Sequence, residues 1–172
     1  MSAATWVDRS GKGSSLRFKL GIVSVLAGAL SAVVGSTAAG ASSASYVVKA
    51  SLDTGSVVPA VRDASGATAT LSAKLTLAGK KSSFVWTIAF RHLSGAPKQA
   101  TIYFGKSGKV GSIALPLCVK CQVPSAHGAY IGPYVALPVF VKAILHRGAY
   151  VEVATKENPK GEVRGQMITS SP

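Results

Sequence analysis

The stretch Gly148-Ala-Tyr-Val-Glu-Val-Ala-Thr-Lys-Glu-Asn-Pro-Lys-Gly-Glu-Val-Arg-Gly-Gln-Met167 decides the fold class. Tyr150-Val-Glu-Val-Ala154 is rich in β-formers, and Glu162-Val-Arg-Gly-Gln-Met-Ile168 alternates with a period of two. Between them, Pro159 presets φ for a turn and Gly161 can take positive φ. The spacing predicts a closing β-hairpin. Residues i and i+2 share a face of a strand, so Glu162, Arg164 and Gln166 form one polar row. The row is expected at a solvent-facing or locally hydrogen-bonded surface, with Arg164 and Lys156 near enough to pair with Glu152 and Glu162. It is also the candidate interaction row of the chain.

The same period runs through most of what precedes the hairpin. In residues 67–77, Ala67, Ala69, Leu71, Ala73, Leu75 and Leu77 point one way and Thr68, Thr70, Ser72, Lys74 and Thr76 the other. Eleven strand residues would span about 36 Å, long enough to expect a bend or bulge. Phe84, Trp86, Ile88 and Phe90 form an aromatic inward stripe, and Gly79-Lys-Lys-Ser82 predicts a hairpin between the two runs. Further strands are expected over 46–52, 100–104 and 110–117. Leu137, Phe140, Val141, Ile144 and Leu145 follow helical spacing behind Pro138, and Gly148 ends that helix. Residues 118–138 carry the most Pro and Gly and resist assignment. About seven short strands at regular spacing predict an all-β chain. The layout expected is an antiparallel β-sandwich, immunoglobulin-like, with one short helix before the C-terminal hairpin.

The first 44 of the 172 residues read differently. Arg9, Lys12, Arg17 and Lys19 precede an uncharged apolar run, 20–34, and a small-residue stretch follows. This is the pattern of a secretory signal peptide, with cleavage after Ala39, Ala41 or Ala44. An uncleaved membrane anchor is the alternative, since the run extended to Ala41 just reaches spanning length. Residues 45–172 are enough for one domain with its own core. The chain carries 19 Lys+Arg and six Asp+Glu; outside the leader the balance is about +10. Such a surface attracts anionic envelope polymer or acidic headgroups. Nucleic acid is not expected, because the lysines are scattered and no recognition motif accompanies them. Membrane contact is expected only if the leader stays uncleaved.

Gly148-Ala-Tyr-Val-Glu-Val-Ala-Thr155 followed by Asn158-Pro-Lys-Gly-Glu-Val-Arg-Gly-Gln166 resembles the C-terminal signature of the chordin-type (CHRD) domain, found in the extracellular protein chordin and in many exported microbial proteins. Leu52-Asp-Thr-Gly-Ser-Val-Val-Pro-Ala-Val61 with Ser65-Gly-Ala-Thr-Ala69 is similar to that family's opening, Phe84-Val-Trp-Thr-Ile88 to its central strand, and Leu93-Ser-Gly95 to the turn after it. The family pattern then carries His-x-His and a final Val-x-Val-His-Thr strand. Here those places read Thr101-Ile-Tyr103 and Val151-Glu-Val-Ala-Thr155, so the imidazoles are absent. The resemblance implies a binding module rather than an enzyme.

Cys118-Val-Lys-Cys121 is the sharpest local chemical feature. In an exported chain it predicts a small-loop disulfide, stabilising by about 2 kcal/mol. A free dithiol or a metal half-site is the alternative, the latter needing two more ligands from His92, His127 and His146, of which His127 is nearest in sequence. His92 and His146 read as surface residues at element ends. There is no nucleophile motif, phosphate loop or dinucleotide fingerprint, and nothing calls for a cofactor. The expected function is an exported, non-enzymatic CHRD-like domain, secreted or at the cell envelope, that acts as a protein-binding or structural module, with the partner not identified by the sequence. The alternatives are a thiol-redox or metal-handling role for Cys118 and Cys121, and electrostatic binding of anionic envelope polymer.

Overall fold

A computed structural model describes residues 43–61 and 66–170. The leader reading, with cleavage after Ala39 or Ala41, falls outside those residues; Ala44, the third site considered, is the first residue of β1. The strands are β1 (Ala44–Asp53), β2 (Thr68–Leu77), β3 (Ser83–Arg91), β4 (Pro97–Phe104), β5 (Ile113–Val119), β6 (Ser125–Ile131), β7 (Ala149–Thr155), β8 (Val163–Gln166) and β9 (Ile168–Ser170). One helix, α1 (Pro138–Leu145), stands before β7.

All nine strands belong to one antiparallel sheet in the order β5-β4-β7-β8-β1-β2-β3-β6, with β9 continuing along β1. The sheet is nearly closed into a barrel, and the two-sheet immunoglobulin-like sandwich is not what forms. The reason lies in β1. It is hydrogen-bonded to β2 on one edge and to β8 and β9 on the other, so the first and last thirds of the chain join in a single layer. Ala50, Ala69 and Ala73 on the inward face keep the side chains small where the sheet curls. The free edges β5 and β6 then come close. The Tyr130 hydroxyl donates to the Pro116 carbonyl, and the Tyr134 hydroxyl donates to the Ala114 carbonyl across that gap.

The period-two reading of the core holds. Ala69, Leu71, Ala73 and Leu75 of β2 and Phe84, Trp86, Ile88 and Phe90 of β3 are buried together. No bulge interrupts the 67–77 run: β2 pairs with β1 and β3 without a register shift. The shifts occur instead in β4, against β5 and β7. Residues 118–138 hold an unforeseen strand, β6, whose Ala and Gly residues carry too little hydrophobic alternation to reveal it. Helix α1 buries Phe140 and Ile144 and presents Leu137 and Val139 outward. Phe140 meets Phe84 edge-on at 5.9 Å between centroids, so the helix plugs one end of the barrel. Among the described residues the buried hydrophobic side chains lie between Val48 and Met167, which gives the barrel a core of its own.

Replacing the plug should show this directly. Phe140→Ala should cost about 3–5 kcal/mol in urea unfolding, whereas Val139→Ala, on the exposed side of the same helix, should stay within about 0.5 kcal/mol. Equal effects would mean that α1 does not cap the core.

Candidate functional site

Strands β4, β7 and β8 lie side by side, and their outward faces carry most of the polar side chains singled out by sequence. The register places Thr101 beside Glu152 and Glu152 beside Arg164; one step on, Tyr103 lies beside Tyr150 and Tyr150 beside Gln166. The connection 105–112 folds back over this face. Its Gly105 N–H donates to the Gly148 carbonyl at 2.8 Å, and its Gly111 N–H to the Tyr150 hydroxyl at 3.2 Å.

The row Glu162, Arg164 and Gln166 is therefore not solvent-facing. Glu162 is fully buried, Arg164 is 2% exposed and Gln166 is partly covered. Each side chain fastens a different piece of chain. The Glu162 carboxylate accepts from the Ser94 N–H and hydroxyl, both at 2.6 Å, from the Thr155 hydroxyl at 2.5 Å and from the Asn158 side-chain amide at 3.4 Å. Hydroxyls and amides thus take the place of the Lys156 or Arg164 expected from sequence. The Arg164 guanidinium stacks 3.4 Å from the centre of the Tyr150 ring and donates to the Lys106 and Lys109 carbonyls. The Gln166 amide nitrogen donates to the carbonyls of Gly105, Arg147 and Ala149 at 2.7–3.1 Å. Two glycines of the motif are required by the same packing. A Cβ on Gly165 would stand 2.1 Å from the Ser51 carbonyl oxygen, and Gly161, at φ +121°, closes the turn against Glu152.

Beside the row, between the 105–112 connection and the β7–β8 turn, lies an open cavity of about 270 Å³. Gln99, Tyr103, Tyr150, Glu152, Ala154 and Lys160 are on its walls, with Val58, Val110 and Pro159 at the rim. Tyr103 and Tyr150 stack at 5.2 Å. Burial pushes the Glu152 carboxyl above its ordinary range, and the Arg164 charge only partly offsets this. Burial likewise raises the Tyr103 phenol, aided by the negative charges at Glu152 and Tyr150. For Glu162 burial also acts upward, but it is outweighed by the hydrogen bonds from Ser94, Thr155 and Asn158, which leave the group below the ordinary range. Two carboxyls on one hairpin are thus driven in opposite directions. The cavity offers one carboxyl, one ammonium and aromatic surface, with no Ser, Cys or His on its walls.

The model of the CHRD domain family matches residues 48–167, the whole barrel apart from its outermost residues. The chain belongs to the CHRD domain family. No curated protein and no solved structure matches it. The barrel shows where the departures from the CHRD histidine pattern fall. Thr101, Tyr103 and Ala154 stand on this one outward face, and the last two line the cavity. The strand positions are brought together, and their side chains here are a hydroxyl, a phenol and a methyl.

Cys118 and Cys121 form a disulfide, with Cα atoms 5.3 Å apart, at the end of β5. It braces the corner that carries the chain from one edge of the sheet, β5, to the other, β6. The Lys120 N–H donates to the Lys98 carbonyl at 2.6 Å, and Lys98, Lys120 and Lys156 surround a shallow groove beside the bridge. His127 lies on β6, exposed, next to the same corner; His92 and His146 are exposed elsewhere. Among the described residues no group of three or more His, Cys, Asp and Glu could hold a metal ion. Sequence reasoning missed the cavity because its walls come from β4, β7 and three connections. The one signal that could have found it was the shared outward phase of Thr101, Tyr103, Glu152 and Ala154.

The opposed carboxyls give opposite pH signatures. The depressed Glu162 stabilises the fold above the ordinary carboxylate range and loses this as pH falls through its folded value. The raised Glu152 favours the fold only at low pH, and this is lost as pH rises through its folded value, so its ionised form opposes folding at neutrality. Glu162→Gln should cost about 1–3 kcal/mol at pH 7 and flatten the acid limb of a stability–pH curve. Glu152→Gln should raise stability at pH 7, with the gain vanishing below the carboxylate range. Urea titrations of both variants across pH 3–8 (roughly the span of carboxylate effects) check the pair; a shared sign would overturn the assignment.

Proposed function

We propose that this CHRD chain is an exported module that works by binding, at the cell envelope or outside the cell, with the cavity on β4 and β7 as its recognition face. CHRD domains are non-catalytic modules. The observation that carries the reading is the cavity itself: an open, partly aromatic hollow with one carboxyl only partly compensated and one lysine, held by a polar frame and with no Ser, Cys or His on its walls. Such a hollow suits a cationic or hydrogen-bonding side chain of a protein partner. The leader pattern supports export, and the pairing of both cysteines fits an oxidising compartment.

A second reading, electrostatic binding of anionic envelope polymer, is favoured by the lysines gathered at the disulfide groove. The thiol-redox reading has no comparable support, since Cys118 ends a strand rather than opening a helix, where a thiol would be activated.

A crosslinking pull-down from native envelope and culture fluid, using residues 43–172 as bait, separates these. A specific protein should be captured, and Glu152→Lys should abolish its capture while the paired change Lys98→Glu with Lys120→Glu leaves it intact. Capture of acidic polymer alone, released by salt and lost with the lysine variant, would replace the protein-binding reading with the polymer one. Readily titrated thiols in exported protein without reductant would reopen the redox role.

A further inference from the structure

Beyond the 105–112 connection that borders the cavity, the end of the barrel plugged by α1 has a surface unusual in two ways. The connection from β6 into α1 turns apolar side chains outward in close succession: Ile131 is 78% exposed, Tyr134 45%, Leu137 41% and Val139 60%. These are separated by Gly132, Pro133 and Pro138, so the segment is a stiff rim rather than a helix face. Contiguous exposed apolar surface on a soluble domain marks a contact site.

The second observation is the charge around that rim. The β2–β3 turn packs against it: Gly132 N–H donates to the Ser82 carbonyl at 2.9 Å, and the turn Gly79–Lys81 lies beside residues 134–136. That turn presents Lys80 and Lys81, both exposed; Lys142 and Arg147 are exposed on and just after α1. Residues 74–85 and 131–149 contain no Asp or Glu. The described carboxylates Asp53 and Glu157 lie at the opposite end of the barrel, and Glu152 and Glu162 on the β7–β8 hairpin. The apolar rim is therefore bordered by positive charge only.

Apolar residues with an aromatic among them, ringed by lysines, match the interfacial layer of an anionic bilayer, where side chains enter the headgroup region and ammonium groups meet phosphates.

We infer that this end of the barrel is a docking surface for an anionic phospholipid bilayer, with Ile131, Leu137 and Val139 entering the headgroup layer and Lys80, Lys81 and Lys142 on the phosphates. It leaves the cavity on β4 and β7 facing away along the side of the barrel, free for a partner. The inference rests on the envelope reading only for which membrane is met; the contact itself is a property of the barrel, so it can fail while the pull-down succeeds, and the reverse.

The test is co-sedimentation of residues 43–172 with vesicles of phosphatidylcholine alone or with about one-third phosphatidylglycerol. The barrel should bind the mixed vesicles and not the neutral ones. Lys80→Glu with Lys81→Glu should weaken binding about tenfold or more, while Lys98→Glu with Lys120→Glu, an equal charge change at the other end, should have a much smaller effect. Ile131→Ser with Val139→Ser, at exposed positions that leave the core untouched, should remove the fraction of binding that survives high salt. Equal losses from the two lysine pairs would mean net charge alone acts and would overturn the surface. So would binding unchanged by the serine pair, absence of binding to mixed vesicles, or self-association of the barrel that the serine pair abolishes.

Discussion

The barrel depends on a row of polar side chains, Glu162, Arg164 and Gln166, in and just before strand β8. β8 has only four residues, yet it joins the N-terminal strands to the C-terminal ones, and a strand that short brings few ladder hydrogen bonds. Its neighbouring connections are held by side chains instead. Glu162 ties the 91–96 turn and the hairpin turn, Arg164 ties the 105–112 connection, and Gln166 ties that connection to the start of β7. Each bond has a main-chain group at one end or a hydroxyl fixed by its own partner, so the row specifies backbone position rather than merely neutralising charge. A buried carboxylate satisfied by four donors is stable there; left with two it would be a liability.

This explains why one face of the sheet is covered on both sides. β7 is buried at almost every position because the core lies under it and fastened connections lie over it. The covering stops at Glu152, where the 105–112 connection and the β7–β8 turn leave the cavity between them. The hollow is thus a consequence of the latches: they set its walls, and the charge of Arg164 is drawn toward loop carbonyls and the Tyr150 ring, leaving Glu152 incompletely compensated.

Much of the fold was legible in the sequence where alternation was clean. Ala69 through Leu75, Phe84 through Phe90, the final hairpin and the helix behind Pro138 all lie where period and turn chemistry place them. What was not legible was how the strands join. Spacing counts strands, but only the second hydrogen-bonded edge of β1 decides between two sheets and one, and no residue of β1 announces that edge. The polar row was misjudged for a related reason. Period-two phase says that Glu162 and Arg164 point away from Val163, and it cannot say that connections 55 to 68 residues distant will cover them. β6 was missed because Ser125-Ala-His-Gly-Ala129 hides its inward positions behind small side chains.

The same hairpin therefore contains two kinds of residue with different constraints. Glu162, Arg164, Gly165 and Gln166 hold backbone, and they stand in the stretch that resembles the CHRD signature. Thr101, Tyr103 and Ala154 touch none of those latches' acceptors, face the cavity side, and are where the chain departs from the pattern. Of the three, Tyr103 stacks on Tyr150, whose ring in turn carries the Arg164 guanidinium, so the aromatic wall of the hollow is part of the frame. Tyr103 and Ala154 shape the surface of the hollow, while Glu162 and Gln166 fix the backbone behind it. For that reason the family signature identifies the scaffold here, and the chemistry must be sought in the residues that break it.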